Sequence, residues 1–171
     1  MSPEAILYSE LRKKLEAIDG VKYVRLFNNQ FERSNGEGHD GRKENIPVYP
    51  CVLIQIQPSE FSDGSSGWQS VDYSIRLHLA TWSQLDEDLT FLNLKWEVYK
   101  AIQKWKPSGG WNSLLRINEE PNFDHDNVNE YVIEFKTNYS DFSAQNIGVY
   151  KKINITLNDT ATIISPTQST Y

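Results

Sequence analysis

Between Ser83 and Trp105 the apolar positions recur every three or four residues along two separate stripes. One runs Leu85, Leu89, Leu92, Trp96, Tyr99, and the other runs Phe91, Leu94, Val98, Ile102, Trp105. Each spacing follows one side of an α-helix. At ~100° per residue the stripe centres lie roughly 140° apart. Asp86, Thr90, Asn93, Glu97, Lys100 and Lys104 fill the wet face, and Asp88 and Lys95 divide the stripes on the other side. A helix lying on one sheet needs one apolar stripe, so this helix asks for two partners. The three Leu of the first stripe suit a sheet-packing core. The second stripe, Phe91 to Trp105, suits either an N-terminal helix of the same domain or the next copy of the chain.

The other patterns are simpler. Ser2 is a good N-cap, Pro3 fits the first helical position and Glu4 complements the helix dipole. Ile6, Leu7, Leu11, Leu15 and Ile18 then make one stripe, and Gly20 fits the residue after a helix end. Val21 to Phe27 reads as a strand. Residues 28–46 turn polar, with three Gly and no periodicity, and read as a long loop or an extended arm. Val48 to Gln57 reads as a strand apolar on both faces at its centre, with Pro47 and Pro50 at its entry. Residues 58–67 read as a second flexible loop. Val71, Tyr73, Ile75, Leu77 and Leu79 alternate with polar residues, which makes a strand with one wet face. Lys106-Pro107-Ser-Gly-Gly110 breaks the helix. Leu115 and Ile117 mark a short strand, 119–129 a polar turn region, and Tyr131 to Tyr139 another alternating strand. Ile153, Ile155 and Leu157 suggest one more.

The predicted order is α-β-β-β-α-β-β, an α+β domain with a mainly antiparallel sheet and two helices on one face. Residues 1–142 form the expected core domain and 143–171 a C-terminal extension of strand and tail. The length of 171 residues suits one such domain, large enough to fold without disulfides. The net charge of −6 argues against nucleic-acid binding as the main task. Arg12-Lys13-Lys14 and Lys151-Lys152 read as solvated faces. No apolar run approaches the ~20 residues of a membrane span, and the N-terminus does not read as a signal peptide.

Catalytic patterns are weak. Cys51 is the only cysteine and sits in an apolar run, where a small buried thiol is expected. His78 falls on the wet side of its strand and reads as an exposed or interface residue. Asp124-His125-Asp126 cannot aim three neighbouring side chains at one metal from an extended strand, so a polar turn is expected there. Glu119 and Glu120 should point oppositely for the same reason. The Gly-rich stretches lack the Lys-Ser/Thr of a phosphate loop. No catalytic residue, cofactor or metal is expected, and the chain does not read as an enzyme.

The element order and texture resemble the tail terminator and tail completion proteins of long-tailed bacteriophages. The likeness spans roughly residues 3–142. It rests on the leading helix, the Val48-Tyr-Pro-Cys-Val-Leu-Ile54 and Tyr73-Ser-Ile-Arg-Leu-His-Leu79 strands, the second helix and the closing Tyr131–Asp141 strand. The resemblance implies a structural virion protein, assembled in the host bacterial cytoplasm. It implies a homo-oligomeric ring, a hexamer, that caps the head-proximal end of the tail tube. The implied partners are the tail tube protein and the head connector or head-closure protein, with DNA passing through without specific binding. On that reading, Phe91, Leu94, Val98, Ile102 and Trp105 are candidates for a subunit interface. Arg33, Asn35, Arg42, Lys43, Phe61 and Trp68, in the two polar loops, are candidates for contact with tube or connector. Another head–tail connector or minor tail protein is an open alternative, as is a small cytoplasmic ligand-binding or hydrolytic domain. A monomeric adaptor whose second stripe takes a host helix is a third.

Overall fold

The computed structural model describes residues 1–33, 47–64, 67–82, 88–122 and 128–143. The helix α1 spans Pro3–Glu16, and the Ser2 hydroxyl caps it by accepting from the Ala5 amide. Leu7, Leu11 and Leu15 are its buried face. Gly20 then adopts φ 89°, a left-handed conformation that favours glycine. The strand β1 spans Tyr23–Leu26 and is followed by a one-turn helix α2, Gln30–Arg33. Two long strands follow, β2 at Cys51–Asp63 and β3 at Gln69–Trp82. The helix α3 covers Asp88–Ile102, and β4 (Leu115–Asn122) and β5 (Val128–Asp141) complete the chain's order. The five strands form one mixed sheet, β1-β2-β3-β5-β4, in which only β1 and β2 pair in parallel. The expected α+β order holds, with α1 and α3 packed against the same sheet face.

Three boundaries differ from the expectation, each for a physical reason. The β2–β3 ladder runs on to Asp63↔Gln69, so most of the expected loop 58–67 is a hairpin arm. Its outer β2 half is exposed on both faces, which leaves no alternation to read. The β4 strand continues through Glu119–Asn122, into the expected turn region. A register shift between Arg116 and Asn118 lifts Ile117 out of the ladder there. The helix α3 stops at Ile102, because the chain turns through Lys104 at φ 62° and Lys104 N–H donates to Leu114 O at 2.8 Å. Trp105 therefore belongs to the turn rather than to the helix. Ser83, Leu85 and Asp86 lie outside the described residues, as does the expected strand at Ile153–Leu157.

The main core lies between the sheet and the two long helices. It joins Leu7, Leu11 and Leu15 to Val52, Ile54, Ile75, Leu77, Leu79, Ile133 and Phe135, and takes Val98 and Ile102 from α3. The second α3 stripe is thus the one that packs inward. Leu94, Val98 and Ile102 are buried, while Leu89, Leu92 and Trp96 of the first stripe stand exposed. The stripe expected on the sheet from its Leu content is the exposed one, while the second meets α1, one of its two expected partners, and joins the sheet core. Compact aliphatic side chains at Leu94, Val98 and Ile102 let the helix approach its partners closely, and the Trp96 ring is left outside.

A smaller second core sits on the opposite sheet face, under α2. Phe31, Cys51, Leu53, Ala80 and Val128 form it, flanked by Tyr23, Phe27, Tyr49 and Trp82. This face was expected to be wet along β3. Near α2 it is covered, and farther along it carries a polar lattice.

Candidate functional site

The buried polar cluster on the second face starts from His78. Its ring stacks on Phe27 with centroids 4.1 Å apart, and only 6% of the residue is exposed. One ring nitrogen lies 2.6 Å from Glu130 Oε1 and the other 3.2 Å from Gln55 Oε1. Asn122 donates to the second oxygen of Glu130 at 2.9 Å. His78 is therefore on the side of β3 that its parity predicts, but it is inside rather than exposed. The covering groups come from the chain after β1, which alternation along β3 cannot reveal. Cys51 is buried as expected, and burial pushes its thiol up to about 12, so it is an inert apolar group.

Farther along the same face, β3 and β5 exchange charges across matched registers. Ser74 donates to Glu134 at 2.6 Å. Arg76 reaches Glu120 at 3.3 Å and Glu134 at 3.8 Å. Lys136 lies 2.8 Å from Asp72, and Asn138 donates to Asp72 and Ser70. The Lys136 ammonium holds the Asp72 carboxyl below its usual range, and Asp72 raises Lys136 in turn. Glu119 and Glu120 do point oppositely: Glu119 pairs with Lys95 and Arg116, and Glu120 with Arg76. These are cross-strand pairs that satisfy a sheet surface. Among the described residues no group of three or more His, Cys, Asp or Glu is placed to hold a metal ion. None of their helices is long and apolar enough to cross a membrane.

Among the described residues Leu26, Val48, Leu115 and Ile117 are exposed, and two further exposed apolar groups include aromatic rings. On α3, Leu89 is 77% exposed, Leu92 50% and Trp96 53%. Trp96 packs on Tyr99, whose ring carries the Arg116 guanidinium 4.0 Å away. At the end of the β2–β3 arm, Phe61 is 59% exposed and Phe142 57%. Trp68 stacks on Phe142 at 6.1 Å. Phe61 and Trp68, read as loop contacts, are thus fixed by the hairpin and by β5. Arg33 ends α2, while Asn35, Arg42 and Lys43 lie outside the described residues, as do Asp124-His125-Asp126. Of the five interface candidates, Leu94, Val98 and Ile102 are buried in the chain itself, and Phe91 and Trp105 pack against the same core. Lys14 sits 5.5 Å over the Trp105 ring, so α1 is the partner that stripe found. The exposed α3 stripe was legible as a helical stripe. Its exposure was not, because spacing does not say which stripe meets the sheet.

The described residues thus form an α+β fold of two long helices, one single-turn helix and five strands, with exposed apolar groups on α3 and at the hairpin end and further ones at Leu26, Val48, Leu115 and Ile117. No protein-family model matches it, and no curated protein matches it. Among solved structures it is similar to a chain of "Virion of native gene transfer agent (GTA) particle", with 11% identity and a TM-score of 0.54. The match covers 81% of this chain and 97% of that one. At this identity the likeness is one of fold.

Proposed function

We propose that this chain is a structural subunit of a phage-like virion, forming a ring at the head-proximal end of the tail tube and joining it to the head connector. What supports the reading is the fold: a particle component of the gene transfer agent shares it over nearly its whole length. The surface chemistry is compatible, because the polar groups on the sheet satisfy one another and the exposed apolar groups suit association. The acidic balance suits a conduit that lets DNA pass without holding phosphates. On this reading Arg33, Asn35, Arg42 and Lys43, from the end of α2 onward, contact the tube or the connector. Residues 143–171 are an appendage to the assembling core.

Removing the gene from the element that encodes the chain tests this. Filled heads beside separate tails of uncontrolled length are the expected result. Tails of normal length that fail to join heads would move the chain to another connector position. Normal infectious particles would rule the proposal out.

A further inference from the structure

Phe27 and Phe31 belong to the smaller core on the sheet's second face, and no residue of the segment Leu26–Phe31 belongs to the main core. The segment is folded on itself. Buried Gln30 donates from Nε2 to Leu26 O at 2.6 Å, and its Oε1 accepts from the Asn28 amide at 2.7 Å. Those bonds travel with the segment if it moves as a body. Its hold on the sheet is the end of the four-residue edge strand β1, where Leu26 is exposed. To that are added the Phe27 amide donating to Ile54 O at 2.9 Å, the Phe27 ring stacked on His78, and Phe31 packed with Cys51, Leu53, Ala80 and Val128. The floor beneath Phe27 is polar, because His78 meets Glu130 and Gln55 there and Asn122 meets Glu130. Lifting the ring returns water to these groups, which offsets part of the cost of exposing the apolar ones.

We infer that Leu26–Phe31 is a lid that lifts from the second face while the main core stays closed, uncovering Cys51, Leu53, His78 and Glu130. A local opening is easier than global unfolding when it releases fewer buried groups. Among the described residues the second core holds five buried members and the main core seventeen. The lid runs into α2, which ends at Arg33, the first residue proposed above to contact the tube or the connector. On that reading a partner that engages Arg33 pulls against the second core alone. It can favour the seated or the lifted lid without disturbing the main core. This consequence rests on the proposed assembly role, whereas the lid itself does not.

Cys51 is the chain's single cysteine and is fully covered, so its reaction with a thiol reagent reads the opening. The full chain is mixed with dithiobisnitrobenzoate across sub-denaturing urea, and the released thiolate is followed by absorbance. Unfolding followed by circular dichroism sets the rate expected if Cys51 reacted only from unfolded chains. Without urea the measured rate should exceed that line by about a hundredfold or more and should hardly change as urea is added. Phe27→Ala should raise this flat rate about fivefold or more. Ile102→Val, in the main core, should move only the steep limb near global unfolding. If Phe27→Ala fails to fold, Phe27→Leu replaces it, keeping bulk and losing the stack, with a rise of about twofold or more. Labelling that follows the unfolded-chain line down to zero urea would overturn the lid. So would a flat rate that the Phe27 variants leave unchanged, or one that Ile102→Val raises. Those failures leave the virion role standing, and failure of the gene-removal test would leave the labelling result intact.

Discussion

The Glu130 carboxylate is buried and meets His78 at 2.6 Å and Asn122 at 2.9 Å inside the sheet's second face. Glu130→Ala should take one buried hydrogen-bond partner from His78 and one from Asn122. The expected loss is about 2–4 kcal/mol, seen as a lower urea midpoint at unchanged slope. Conservative Glu130→Gln should recover part of that loss. A milder case is Tyr73, whose hydroxyl donates to Glu4 at 2.7 Å and ties α1 to β3. That bond holds the Glu4 carboxyl below its ordinary value of 4.5. A lowered folded value means the contribution is present above the unfolded value and fades as pH falls through the folded one. Tyr73→Phe should therefore cost about 1 kcal/mol at neutral pH, discounted for partial exposure. The gap from wild type should narrow as the pH falls from neutral to below 4.5. An equal gap at both pH values would show that the loss is packing alone. At this scale the sequence is informative about chemistry and silent about covering groups. The inert Cys51 could be read from its apolar neighbours. The enclosure of His78 could not, because Phe27 stacks on it from a distant part of the chain.

Among the elements, α3 shows how far periodicity reaches. Its two stripes were visible in the spacing, and the helix formed where both run together. Which stripe faces the core is set by the partners available to it, α1 and the sheet. The inward stripe carries Val98 and Ile102, and the outward one Leu92 and Trp96. Ile102→Ala should cost about 2–4 kcal/mol, as a buried aliphatic truncation does. Leu92→Ala should stay within about 0.5 kcal/mol of wild type. Thermal melts of the two variants check this directly, and the reverse ranking would restore the assignment that Leu content suggested. The strand edges teach a related lesson. Pro58 and Pro121 fall in segments that read as loop and turn from sequence alone, and both stand inside strands at open edges, Pro58 beside a register shift. In those places a missing N–H does not break the fold but discourages pairing with another chain. Pro121→Val should then leave the melting point within about 2 °C while raising light scattering on heating.

For the whole molecule, the fold class was legible because the strands alternate and the helices carry stripes, and those are local signals. The strand order β1-β2-β3-β5-β4 and the second core under α2 depend on long-range pairing that no local pattern carries. The extent of the autonomous unit follows from that pairing. Every strand of the sheet comes from residues 23–141, and α1 and α3 close the main core from within the same span. A chain ending at Ser143 should therefore unfold cooperatively, with a melting point within about 4 °C of the full chain. Assembly is the separate readout. If the shortened chain still grows with concentration, the contact between copies lies within the folded core. If it folds but stays monomeric while the full chain grows, residues 144–171 carry the contact between copies. If it melts far below the full chain, the C-terminal segment is part of the fold and the boundary near residue 142 is wrong.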